Sequence, residues 1–181
     1  MAETIVHAGR WLVVLPVLVP FLVLVHETGH ALACKLLRHP VHELRVGDEE
    51  PVLTVNAGGF RLRLGAVTGR RPVGGYVRYD GTRAGARDIL IIALAGPLAS
   101  LAIALAGGWA YVSAPSHPLL LLCVLTGGLM DCVRNLTARG DAHGVWSDGQ
   151  LAKFAWRALR RPVPPPAWTD PHEATSVAPP G

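Results

Sequence analysis

Two histidines and a glutamate stand at the end of a run of aliphatic side chains: Phe21-Leu22-Val23-Leu24-Val25 leads directly into His26-Glu27-Thr28-Gly29-His30. His26 and His30 are four residues apart, so a helix stacks them on one face, one turn apart. Their imidazoles can then share one metal ion, with Glu27 close by to take a proton from water. This is the H-E-x-x-H spacing of zinc hydrolases. With 8 His and 6 Glu among 181 residues, chance supplies the arrangement roughly 0.01 times per chain. A single buried histidine reads as an ordinary satisfied core residue; this triplet inside an apolar helix reads as a metal site. Ionisable groups at such a depth are expensive, and a function is what retains them.

A catalytic zinc takes three protein ligands and keeps a fourth position for water. Four later residues are candidates for the third ligand: Asp131, Asp141, His143 and Asp148. Asp131 lies at the end of an apolar run and can equally pair with Arg134 at i+3. Asp141 and His143 fall in the polar, glycine-containing stretch "TARGDAHG", which reads as a loop. Asp148 is followed by Gly149 and opens "QLAKFAWRALRR". Spacing alone does not choose among the four.

The elements that must position these groups are mostly apolar helices. Half of the residues are hydrophobic and only 17% are charged, with a mean hydropathy of +0.33, which departs from a soluble domain of this length. Three runs stand out: Trp11–Val25 continuing through Leu37, Ile89–Val112, and Leu119–Val133. The second carries no charge and is ample for a bilayer core of about 30 Å. The expectation is a mainly α membrane protein with three transmembrane helices, at about 8–37, 89–112 and 117–134. Cys34, Cys123 and Cys132 lie in or beside these runs, so they read as small buried hydrophobes, not a disulfide framework. "ALAC" at 31–34 looks like a lipoprotein cleavage site. That alternative would set His26, Glu27 and His30 between the apolar core and the cut, and would leave the later spans unexplained.

Basic residues set the expected orientation. Of 17 Lys+Arg, one (Arg10) precedes the first apolar run at Trp11, ten lie from Lys35 to Arg87, none falls in 113–118, and six lie from Arg134 onward. The positive-inside rule then places 38–88 and the C-terminus in the cytoplasm, with the N-terminus and the 113–118 loop outside. The basic charge reads as topology and contact with anionic lipid, with no nucleic acid as partner.

Between the first two spans the period changes to two. "FRLRLGAV" (60–67) puts Phe60, Leu62 and Leu64 on one face and Arg61 and Arg63 on the other, a half-buried strand. "VHELRVG" (41–47), "PVLTV" (51–55) and "GYVRYD" (75–80) are similar candidates separated by turn residues. The expectation is a small cytoplasmic-side β-sheet over 41–80, its apolar face against lipid or the helices. "RPVGGYVRY" combines a proline and two glycines with a tyrosine-rich strand, where backbone can approach another chain; a turn before an edge strand explains it as well. "LAKFAWRALRR" (151–161) reads as an interfacial helix of about 149–161 or as an ordinary packed one. From Pro162 to Gly181 the proline-rich tail reads as disordered, and His172 there is a poor ligand. Residues 1–161 would form one membrane-embedded core.

Taken together, these pieces resemble the site-2 protease family of membrane-embedded zinc metalloproteases, especially its small bacterial members. The matching stretches are "VHETGHALA", "RLGAVTGRRPVGGYVRYDG", "IIALAGPLASL" and "NLTARGDAHGVWSDGQLA", in the family's order and covering roughly 20–155. The resemblance implies Zn2+ held by His26, His30 and Asp148, with Glu27 as general base. It implies that Asn135 helps to position substrate or stabilise an oxyanion, with Gly74, Gly75 and Tyr76 also near the substrate. Two residues depart from the family pattern. No proline follows at 138, where Asn135-Leu136-Thr137 runs into Ala138, and Ser100 replaces an asparagine after Gly96-Pro97.

The activity implied is that of a zinc metalloendopeptidase in a bacterial cell membrane, cutting a membrane-protein or peptide substrate in or next to its transmembrane segment (regulated intramembrane proteolysis). A non-proteolytic metal-binding membrane scaffold of the same fold is the alternative, but a scaffold needs ligands and no base, and Glu27 is present. A zinc transporter would be expected to carry ligands along several spans, and one cluster is visible.

Overall fold

The computed structural model describes residues 2–47, 50–65, 74–114, 117–138 and 146–160, with backbone alone for 2–15. Four helices and four strands follow in the order α1 (Ala2–Leu36), β1 (Val41–Val46), β2 (Pro51–Ala57), β3 (Phe60–Gly65), β4 (Gly75–Tyr79), α2 (Ala86–Ser113), α3 (Pro118–Thr137) and α4 (Asp148–Arg160). Among the described residues, three helical stretches are long and apolar enough to cross a membrane: Pro16–Leu36, Ala86–Ser113 and Pro118–Thr137. At 1.5 Å per residue the 28 residues of α2 reach about 42 Å, more than a bilayer core.

Small residues let the helices approach closely, as expected where lipid tails compete with apolar side chains and only tight contact favours association. A Cβ on Gly29 would sit 2.5 Å from the carbonyl oxygen of Ala95 and 2.7 Å from the Ala99 methyl, so α1 and α2 touch there backbone to backbone. On α2, Ser100, Ala104 and Gly107 recur at helical spacing and are buried. Gly128 of α3 lies against Ser100 and Ala104. Gly149, Ala152 and Ala155 give α4 its buried stripe, and no side chain fits at 149, where a Cβ would overlap the Leu136 carbonyl of α3.

The sheet has strand order β2-β3-β1-β4. β2 and β3 form an antiparallel hairpin, β3 runs parallel to β1, and β4 is antiparallel to β1. The hairpin turns through Gly58 and Gly59, with φ of 55° and 88°, a two-residue turn that demands positive φ at both positions. The register aligns Leu44 with Leu62 and Val77, and Val46 with Leu64 and Gly75, on one face. Glu43, Arg45, Arg61, Arg63, Tyr76 and Arg78 share the other. Leu44 and Val46 are buried, while Val52, Leu53 and Val55 of β2 are exposed. His39, buried at the corner after α1, lies 3.3 Å from Asp88 in the first turn of α2 and ties the sheet's entry to that helix.

Candidate metal centre

The first helix presents His26 and His30 inward, both buried, with ring centroids 4.9 Å apart. Their Nε2 atoms are 3.1 Å from each other. The start of α4 brings Asp148 to the same point: Oδ2 lies 3.0 Å from His26 Nε2 and Oδ1 lies 3.4 Å from His30 Nε2. Three donor atoms from residues 26, 30 and 148 therefore converge, as a metal requires. Zinc bonds of about 2.0–2.2 Å in a tetrahedron set ligand atoms about 3.3 Å apart; the two Nε2 atoms are near that spacing, as is each ring nitrogen from one or other Asp148 oxygen. Burial acts to raise the Asp148 carboxyl, but the adjacent His26 and His30 rings outweigh it and hold it at about 2, an anion at neutral pH.

The far side of each imidazole is tied as well. His30 Nδ1 lies 2.7 Å from the backbone carbonyl of Ile92. A carbonyl can only accept, so the proton sits on Nδ1 and the Nε2 lone pair faces the cluster. His26 Nδ1 lies 2.8 Å from Asp131 Oδ2 and 3.0 Å from Ser100 Oγ. Gly96 makes the room: a Cβ there would overlap His30 Nε2 and come within 2.6 Å of His26 Nε2. Glu27 is buried beside the histidines and faces β4, where a Cβ on Gly75 would meet its Cγ at 2.6 Å and its Oε1 at 2.8 Å. Three helices, the start of a fourth and one strand thus close around a single cluster.

A model of peptidase family M50 matches residues 14–167. The chain belongs to that family. The site-2 protease resemblance of the sequence is therefore correct at family level. A stretch of 61 residues is 38% identical to a Chlamydia trachomatis protein (serovar D) named "Putative zinc metalloprotease"; it makes up 34% of this chain and 9% of that relative. The family and this relative point to zinc as the metal, and the residues 26, 30 and 148 fit it.

Of the two candidates among the described residues, Asp131 and Asp148, Asp148 is the one placed beside the two Nε2 atoms. Asp131 is on the opposite side of the His26 ring, at Nδ1. The i+3 pairing of Asp131 with Arg134 is not what its oxygens do: they bond His26, Ser100 and Asn135. Asp141 and His143, like the tail from 162 and most of "RLGAVTGRRPVGGYVRYDG" before Gly74, lie outside the described residues. Asn135 directs its Nδ2 to Asp131, 3.0 Å from Oδ1 and from the backbone oxygen. Gly75 reaches the site, whereas the Tyr76 side chain turns to the other face of the sheet and donates to Glu43 at 2.7 Å. Gly74 accepts from the Gly47 N–H at 2.8 Å. Sequence reading missed Gly96 and Ser100 as parts of the site. Their signal was spacing: both lie on the small-residue stripe of α2, four residues apart.

Proposed function

We propose that this chain is an intramembrane zinc metalloendopeptidase that hydrolyses a peptide bond in or next to the transmembrane segment of a membrane protein. The observation that carries the reading is Glu27 beside the convergent Nε2 atoms of His26 and His30 and the carboxylate of Asp148. His26, His30 and Asp148 would hold the metal. Zinc supplies Lewis acidity: it polarises a carbonyl oxygen and lowers the pKa of water that it binds. Glu27 takes the proton from the attacking water at a carboxylate oxygen and passes it to the amine nitrogen as the peptide bond breaks. The buried walls of α1, α2 and α3 keep other water from the carboxylate.

β4 is the natural seat for the substrate. Among the described residues it is an edge strand, its Gly75 lies against the base, and an extended peptide can pair with such an edge through main-chain hydrogen bonds. A helical transmembrane segment must unwind to do so, which places cleavage at a helix end or a weak helical stretch. The sheet sits on the cytoplasmic side, in a bacterial cell membrane, with lipid around the three spans. Asn135, Gly74 and Tyr76 would act near the substrate through their backbone or at the rim.

The deciding experiment uses purified protein in lipid vesicles with a model single-span peptide. Wild type with one zinc per chain should cleave it, and Glu27→Gln should bind the same zinc without cleaving. Cleavage by the Gln variant at the wild-type rate would refute the assignment, and zinc-bound wild type that cleaves no member of a panel of spanning peptides would favour the scaffold.

A further inference from the structure

We propose that Asp131 is the positioning residue of the metal centre: clamped by Ser100 and Asn135, it orients His26 for the metal from the far side of the ring. The inference rests on the metal reading of His26, His30 and Asp148 and adds to it a role for three residues on two other helices. His26 Nδ1 and Nε2 are on opposite edges of one imidazole. Nε2 faces Asp148 at 3.0 Å and Nδ1 faces Asp131 Oδ2 at 2.8 Å, so the two aspartates cannot ligate one ion together with this ring. If Nε2 is the metal donor, Nδ1 carries the proton, and a carboxylate is the strongest available acceptor for it. Metal-ligating histidines gain both orientation and basicity from such a partner.

The Asp131 carboxylate is itself held at both oxygens. Ser100 Oγ donates to Oδ2 at 2.6 Å and Asn135 Nδ2 donates to Oδ1 at 3.0 Å. Ser100 is buried, with 1% of its surface exposed, and its hydroxyl also lies 3.0 Å from His26 Nδ1. The cluster spans residues 26, 100, 131 and 135, so it joins α1, α2 and α3 at one point. A short side chain at 100 is what the geometry needs, because Asp131 reaches His26 across it.

His30 has the same arrangement with a different acceptor, the Ile92 carbonyl. The backbone cannot be mutated away, so the Asp131 arm is the one open to test. Zinc affinity of the full chain in detergent micelles is measured by chelator competition, with cobalt(II) absorption as a second readout of ligand geometry. Removal of such a partner weakens metal binding by about 10- to 100-fold. Asp131→Ala should show that loss, a changed cobalt band and one equivalent of zinc at saturation. Asp131→Asn, which keeps an acceptor, should fall between it and wild type. Ser100→Ala combined with Asp131→Ala should be no weaker than Asp131→Ala alone, because Ser100 acts through the carboxylate. Asn135→Ala, which frees the carboxylate without deleting it, should give a smaller loss and a shifted cobalt band. It also keeps the test alive if the Asp131 variants fail to fold, as judged by helix content. Wild-type affinity with an unchanged cobalt band in Asp131→Ala or, should it not fold, in Asn135→Ala overturns the proposal. Loss of all zinc at saturation in folded Asp131→Ala, with zinc kept in Asp148→Ala, overturns it too by making Asp131 a ligand. Full zinc in both Asp148→Ala and His26→Ala would remove the metal reading itself.

Discussion

At the scale of single residues, the proposed chemistry separates groups that would hold a metal from one that would move a proton. Glu27→Gln removes only the proton acceptor, so it should lower turnover by at least about 100-fold, the usual share of general acid–base catalysis, while zinc stays at one per chain. His26→Ala, His30→Ala and Asp148→Ala each remove a donor from a cluster whose members lie 3.0–3.4 Å apart, and metal analysis should find zinc near background in all three. Gly96→Ala belongs with them, although it deletes no ligand: its methyl would occupy the space between the two Nε2 atoms. Zinc retained at full occupancy in Gly96→Ala would mean that the helices shift to accept it, and that α2 does not set the geometry of the pair.

At the scale of elements, two close approaches make separable predictions. Gly75→Ala places a methyl against the Glu27 side chain and the Arg45 carbonyl, at 2.6–2.8 Å. It should cut turnover by about tenfold or more by displacing the base, with zinc unchanged because no ligand moves. Gly29→Ala raises helix propensity by up to about 1 kcal/mol but drives a methyl into the backbone of α2 at Ala95. Overpacking of about 1–3 kcal/mol should win, seen as a lower melting temperature in detergent. The elements themselves were legible in the sequence. Alternation of Phe60, Leu62 and Leu64 with Arg61 and Arg63 gave β3, and charge-free length gave α2. The H-E-x-x-H spacing put His26, Glu27 and His30 together, because that geometry is local to one helix. Other features depend on tertiary approach. Asp131 could be read as pairing with Arg134 on its own helix because nothing local reveals His26, 105 residues away, at 2.8 Å. Tyr76 and Gly75 looked alike as substrate contacts, yet strand alternation turns only one of them to Glu27. Ser100 stood out only as a departure from a family pattern until α3 was seen beside it.

At the scale of the whole molecule, the remaining question is which side of the membrane the site opens to, and the charge distribution makes a definite prediction. The loop between α2 and α3 carries no Lys or Arg over 113–118, whereas ten of the 17 basic residues lie from Lys35 to Arg87. The charge pattern predicts that the sheet lies on the basic side, and with it Asp148, which follows α3. Three spans then place 113–118 and the C-terminal region on opposite faces. Cys34 is fully buried and Cys132 nearly so, but Cys123 is partly exposed, so the test starts from a chain with all three replaced by alanine. A cysteine introduced at Ala114 should react with a membrane-impermeant thiol reagent on intact cells, and one at position 165 should react only after lysis. Labelling of position 165 on intact cells, with Ala114→Cys protected, would invert the molecule and turn the edge of β4, and with it the entry to Glu27, toward the outer face.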